Sequence, residues 1–125
     1  MDIKPTESEL EILQVLWSKG ASTVREVNEQ LAQQRGTGPG YTTTLKLMQI
    51  MHDKGIVSRD TTTRTHVYTA LLSEESIREG MVDKMINTIF NGSATELVMQ
   101  ALNTKRSSAK ELQLIRDLIN QLDKK

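Results

Sequence analysis

Four times the chain places a hydroxyl residue three positions ahead of a glutamate at the head of an apolar run: Thr6 with Glu9, Thr23 with Glu26, Ser93 with Glu96 and Ser108 with Glu111. In such a pair the hydroxyl accepts from the glutamate's backbone N–H and the glutamate side chain reaches back to the first N–H. The amides that a helix start leaves open are thereby satisfied. The motif fixes helix N-termini at both ends of a 125-residue chain, so the fold must be mainly α.

The apolar spacing supplies the helix lengths. Leu10, Leu13, Leu16 and Trp17 recur at helical intervals until Gly20, which predicts a helix over residues 7 to 19. Val24, Val27 and Leu31, with Asn28 beside them, trace a narrower stripe that runs out near Gln34, so the second helix is short and mostly exposed. Three glycines and a proline in "RGTGPGY", residues 35 to 41, then break the pattern. In "YTTTLKLMQIMHDKG", residues 41 to 55, the set Thr44, Leu47, Met48 and Met51 makes one buried face, and Gly55 stands where a helix over 42–54 would stop.

Two segments rich in β-branched and aromatic residues, "IVSR" and "THVYTA", then flank the polar turn "DTTTR", which predicts a β-hairpin. Three helices followed by a hairpin is the order of a winged helix-turn-helix domain, here residues 1–72. Residues 73–125 continue as helices. Ser73 caps a helix carrying Ile77, Met81, Met85 and Ile89 up to the stop signal Asn91-Gly92. The next carries Leu97, Val98, Ala101 and Leu102, and in the last Leu112, Ile115, Ile119 and Leu122 step in heptad fashion. With aromatic residues at 3% of the chain, these faces have few bulky anchors of their own and are best covered by a second copy. The expected architecture is mainly α with a small β-hairpin wing, completed by a C-terminal helical dimerisation domain. Met85, Ile89, Leu97, Val98, Leu112, Ile115, Ile119 and Leu122 are the candidate homodimer contacts.

Several chemistries find no support. There is no cysteine, which removes disulfides, thiolate ligands and a cysteine nucleophile. The two histidines, His52 and His66, have no metal-ligand spacing, and no nucleophile–base pair is visible, so neither an enzyme, a metal site nor a cofactor is expected. "GTGPG" lacks the G-K-[ST] ending of a phosphate-binding loop. The N-terminus has no signal-peptide pattern and no stretch nears the ~18 apolar residues of a membrane span. A soluble cytoplasmic protein without membrane insertion is the expectation.

Sixteen basic and sixteen acidic residues cancel overall. Between residues 35 and 64, however, Arg35, Lys46, Lys54, Arg59 and Arg64 face only Asp53 and Asp60, five minus two, a local +3. In a helix-turn-helix the second helix enters the major groove with its N-terminal side chains at base edges and phosphates. With Thr44, Met48 and Met51 turned inward, Tyr41, Thr42, Thr43, Lys46, Gln49 and Ile50 are left outside. Threonine hydroxyls and methyls can meet bases or a thymine methyl, glutamine can pair with adenine, and lysine can reach guanine or phosphate. Arg59 and Arg64 on the hairpin would add phosphate or minor-groove contacts. These eight residues are the candidate contacts to double-stranded operator DNA. The alternative is a winged-helix module for protein assembly, which the absence of arginine from the third helix favours.

The stretches "PTESELEILQVLWSKGASTVREV", "YTTTLKLMQIMHDKGIVSR", "HVYTALLS", "NGSATELV" and "IRDLINQL" together resemble the penicillinase and methicillin-resistance repressor family, the BlaI/MecI type, over nearly the whole chain. The resemblance implies a homodimeric repressor whose winged helix binds a palindromic operator, controls β-lactam resistance or related genes, and is relieved through a membrane-bound sensor protease by cleavage in the dimerisation region. It carries DNA contact to Thr42, Thr43, Lys46, Ile50, Arg59 and Arg64. Members commonly have threonine and arginine where this chain has Lys46 and Ile50. The family's scissile Asn-Phe bond aligns with Gln100-Ala101, and the cysteine cluster of copper-responsive relatives is missing.

Overall fold

A computed structural model describes residues 5–124. Its elements run α1 (Glu7–Lys19), β1 (Ser22–Thr23), α2 (Val24–Arg35), α3 (Tyr41–Asp53), β2 (Val57–Asp60), β3 (Val67–Ala70), α4 (Glu74–Thr88), α5 (Ala94–Thr104) and α6 (Ala109–Asp123). The first capping pair closes as its spacing dictates: the Thr6 N–H donates to Glu9 Oε1 at 2.8 Å and the Glu9 N–H donates to Thr6 Oγ1 at 3.2 Å. The same reciprocal bonds open α2 and α6, and Ser93 accepts from the Glu96 N–H at the head of α5. Each such cap contributes about 1 kcal/mol to its helix.

The core of the N-terminal part lies between the three helices and the sheet. Ile12, Leu13, Val15 and Leu16 of α1 meet Val24, Val27 and Leu31 of α2, Met48 and Met51 of α3, and Ile56, Val57 and Tyr68 from the β region. Trp17 donates its indole N–H to the Leu72 carbonyl at 2.8 Å, tying α1 to the chain where it leaves the hairpin. Leu47, expected in the buried face of α3, is half-buried at its edge, since three other residues of that helix fill the contact.

Sequence spacing predicts a two-stranded hairpin, and the sheet has three strands. Its order is β1-β3-β2, all antiparallel, with Ser22 opposite Tyr68 and Thr23 opposite Val67. A two-residue strand has no alternation to read, and Thr23 spends its side chain on the α2 cap, so only the pairing partner makes β1 visible. The winged helix is therefore closed by a strand placed immediately before the helix-turn-helix.

Compact units divide between Glu79 and Gly80, inside α4 and beyond the expected boundary at residue 72; residues 1–4 and 125 of the two expected domains lie outside the described residues. In the second unit the helix stop at Asn91-Gly92 takes its expected form. Asn91 and Gly92 adopt φ of 50° and 84°, and the Gly92 N–H reaches back to the Ile86 carbonyl at 2.8 Å, satisfying one of the carbonyls that the helix end leaves open. Among the described residues of α4, α5 and α6 none is buried.

Candidate nucleic-acid interface

The helix-turn-helix consists of α2, the loop 36–40 and α3. Gly38 sets the loop's path: a Cβ at this position would stand 2.8 Å from Ala32 Cα and 2.9 Å from Ala32 N, so the loop lies directly on the α2 backbone. From there the chain enters α3 through Gly40, which offers no side-chain cap, and the first turn holds no acidic residue. The opening amides of α3 are thus free of an internal anion, which suits a phosphate.

On α3 the two faces separate cleanly. Thr44, Met48 and Met51 are fully buried, whereas Tyr41, Thr42, Thr43, Lys46, Gln49 and Ile50 are all exposed. Tyr41 and Ile50 leave 51% and 38% of their surfaces open, more than their chemistry alone favours. The exposed set presents two threonine hydroxyls, an ammonium, a carboxamide and two apolar groups along one side of a helix. That is the inventory needed to meet base edges, a thymine methyl and phosphate together.

The wing sorts its two arginines differently. Arg64 is exposed in the turn, which is held by the Asp60 carboxylate accepting from the Thr62 N–H at 2.9 Å and hydroxyl at 2.7 Å. These bonds, the backbone one first, hold the Asp60 carboxyl below its ordinary pKa. Arg59 sits opposite Tyr68 on β3 and therefore on the same face of the sheet as that buried ring. It is half-buried, and among the described residues its Nε finds no hydrogen-bond partner. A desolvated donor of this kind gains from an incoming acceptor.

The local basic excess also divides. Arg35 pairs with Glu11, and Lys54 Nζ lies 2.9 Å and 3.1 Å from the two oxygens of Glu9. Glu9 is buried, and burial would raise its pKa. The Thr6 N–H and the Lys54 ammonium outweigh that and hold the carboxyl below its ordinary value. Two of the five cations are thus paired with the chain's own carboxylates, leaving Lys46, Arg59 and Arg64 without an ion-pair partner among the described residues. No group of three or more His, Asp or Glu side chains among these residues could hold a metal ion.

The penicillinase repressor profile matches residues 5–121. The chain belongs to the penicillinase repressor family. Among its relatives, the methicillin resistance regulatory protein MecI of Mammaliicoccus sciuri is 24% identical over 124 residues, covering 97% of this chain and 99% of the relative. The penicillinase repressor of Bacillus licheniformis is 23% identical over 116 residues, 93% of this chain and 89% of that one. The solution structure of the DNA-binding domain of the repressor BlaI superposes with a TM-score of 0.50 at 23% identity, over 61% of this chain and 93% of that one. This likeness supports the winged-helix fold.

Within this penicillinase repressor family member, spacing alone located the exposed face of α3 but missed what holds it. The Thr44 hydroxyl donates to Asn28 Oδ1 at 2.8 Å, joining α3 to α2. Asn28 stood out in the sequence only as a polar residue beside the apolar stripe of α2. In the sequence Glu9 is a cap residue and Lys54 one of five cations in a local basic excess, and nothing in their spacing of 45 positions announces an ion pair. Gly38 read as one breaker among three.

Proposed function

We propose that this chain is a transcriptional repressor that binds double-stranded operator DNA, with α3 in the major groove and the hairpin wing beside it, and that it regulates antibiotic-resistance or related genes. The observation that carries the reading is the row Thr42, Thr43, Lys46, Gln49 and Ile50, exposed along α3 directly opposite the buried row Thr44, Met48 and Met51. Family membership supports it, since relatives carry the names of repressors.

In this reading the chain acts as a homodimer. Met85, Ile89, Val98, Ile119 and Leu122 expose between 42% and 67% of their surfaces, and Leu97, Leu112 and Ile115 are half-buried, so the tail offers apolar area that a second copy would cover. Two heads on one body match a palindromic operator, with half-site spacing set by the dimer, and tethering adds about 10²- to 10⁴-fold avidity. Gln100 and Ala101 lie exposed in α5. Cleavage there, by a protease answering to a membrane-bound sensor, would split the dimer and empty the operator without altering α3.

The test is a mobility-shift titration of the full chain on inverted-repeat promoter fragments at several salt concentrations. Binding that prefers one fragment is expected. Lys46→Ala and Arg64→Ala are each expected to weaken it and to lower the salt slope by about one. Equal affinity for every fragment, or no response to either substitution, rejects the reading in favour of a winged-helix module for protein assembly.

A further inference from the structure

The contact between α2 and α3 is apolar except at one point. Val27 and Leu31 of α2 share a core with Met48 and Met51 of α3, and methionine side chains, unbranched and with three rotatable bonds, accommodate small rotations of the helix that carries them. Among the described residues the only hydrogen bond joining the two helices is Thr44 Oγ1 to Asn28 Oδ1, at 2.8 Å. Thr44 is fully buried, so its hydroxyl has no access to water, whereas Asn28 is half-buried on the neighbouring helix. The bond lies in the first turn and a half of α3, between Thr42 and Thr43 on one side and Lys46 on the other.

The geometry points to Asn28 and Thr44 as a positioning pair that sets the rotation of α3 on α2 and so determines which base edges Thr42, Thr43, Lys46 and Ile50 meet. A turn of α3 by about 20° carries a side-chain tip at a radius of ~6 Å through about 2 Å, the difference between a hydrogen bond and none. Methionine packing yields to such a turn more readily than the hydroxyl–carboxamide bond does. Neither residue faces the groove, and both act on specificity through the residues that do. This rests on the proposed DNA-binding reading and deepens it.

The experiment begins with the wild-type full chain selecting from a random duplex library of about 40 base pairs, long enough for two half-sites a turn or more apart. Affinity is then measured for the selected duplex and for a shuffled duplex of the same composition. Thr44→Val keeps the volume and removes the donor; Asn28→Ala removes the acceptor from the other helix, where partial exposure limits the cost to folding. Each is expected to lower the ratio of the two affinities by about tenfold, the worth of one hydrogen bond, while the salt slope and shuffled-duplex affinity stay unchanged. Thr44→Ser is expected to keep the ratio, and the double variant to lose no more than either single one. The inference falls if both single variants hold the ratio within about twofold, or if they weaken both duplexes equally, as a merely structural role would. A wild-type chain that enriches no sequence overturns the DNA-binding reading itself and the positioning role with it.

Discussion

In the head, twelve apolar side chains drawn from three helices and a sheet close over one another, and buried Glu9 and Thr44 find partners in Lys54 and Asn28. In the tail, three helices with equally orderly starts bury no residue at all. Both regions are laid out by the same local signals, hydroxyl–glutamate caps and glycine stops, so local signals fix where helices lie and not whether they have a core. What separates the regions is topology. The head folds a sheet back across α1 and brings distant residues such as Trp17 and Leu72 together, while the tail is a succession of helices of which only α5 and α6 gather their apolar residues on one face. A unit of that size with no buried residue does not offset the entropy of ordering its chain. In the proposed homodimer a second copy supplies the missing burial.

The sharpest way to break this comparison is a pair of large-to-small substitutions. Leu13→Ala in the head is expected to cost about 2–5 kcal/mol, the usual loss for a buried leucine, in urea denaturation at any protein concentration. Ile119→Ala in the tail is expected to act through assembly, so its effect should fade as concentration rises; a concentration-independent loss as large as that of Leu13→Ala would show that the tail has a core of its own. Next in size is Lys54→Ala. Removing the partner of buried Glu9 is expected to destabilise the head by about 2 kcal/mol, below the ~3–5 kcal/mol of a fully enclosed pair because the lysine side chain is 39% exposed.

Gly38→Ala is expected to cost about 1–3 kcal/mol, because the added methyl would meet α2 backbone and not a side chain that can turn away. A thermal melt unchanged by this substitution would mean that the loop can lift off α2. The smallest effect is on pH dependence. Glu9 has a folded-state pKa below its ordinary value, so its contribution to stability is present in full above that ordinary value and is lost as pH falls through the depressed one. Urea midpoints recorded on the acid side should fall more steeply for the wild-type chain than for Glu9→Gln. Parallel curves would remove Glu9 from the acid transition.

Much of the architecture was legible because its signals are local. The Thr6–Glu9 and Thr23–Glu26 caps, the Gly20 stop and the Asn91-Gly92 turn each lie within one or two helical turns, and the spacing of Thr44, Met48 and Met51 sorts the faces of α3 without any knowledge of its neighbours. The missing strand β1 and the pairs Asn28–Thr44 and Glu9–Lys54 join residues 16 to 46 positions apart, where sequence carries no distance information. The same limit applied to the tail. On α6 the heptad-like set Leu112, Ile115, Ile119 and Leu122 was plain, yet Leu114 and Leu118 are also exposed, at 60% and 55%. At 3.6 residues per turn, all six lie within an arc of about 160°. The apolar band is wider than a two-stranded seam requires, and each helix has room for more than one neighbour.

The internal pairing of Arg35 with Glu11 and of Lys54 with Glu9 bears on how a repressor of this kind would spend its time in a cell. Affinity for random DNA grows with the number of phosphates that free cations neutralise, and a genome offers about 10⁶–10⁹ such competing sites. By pairing two cations with its own carboxylates the head would lower its attraction to every one of those sites. Fewer molecules are then held in unproductive places, and a larger share of a small pool is left to occupy one target.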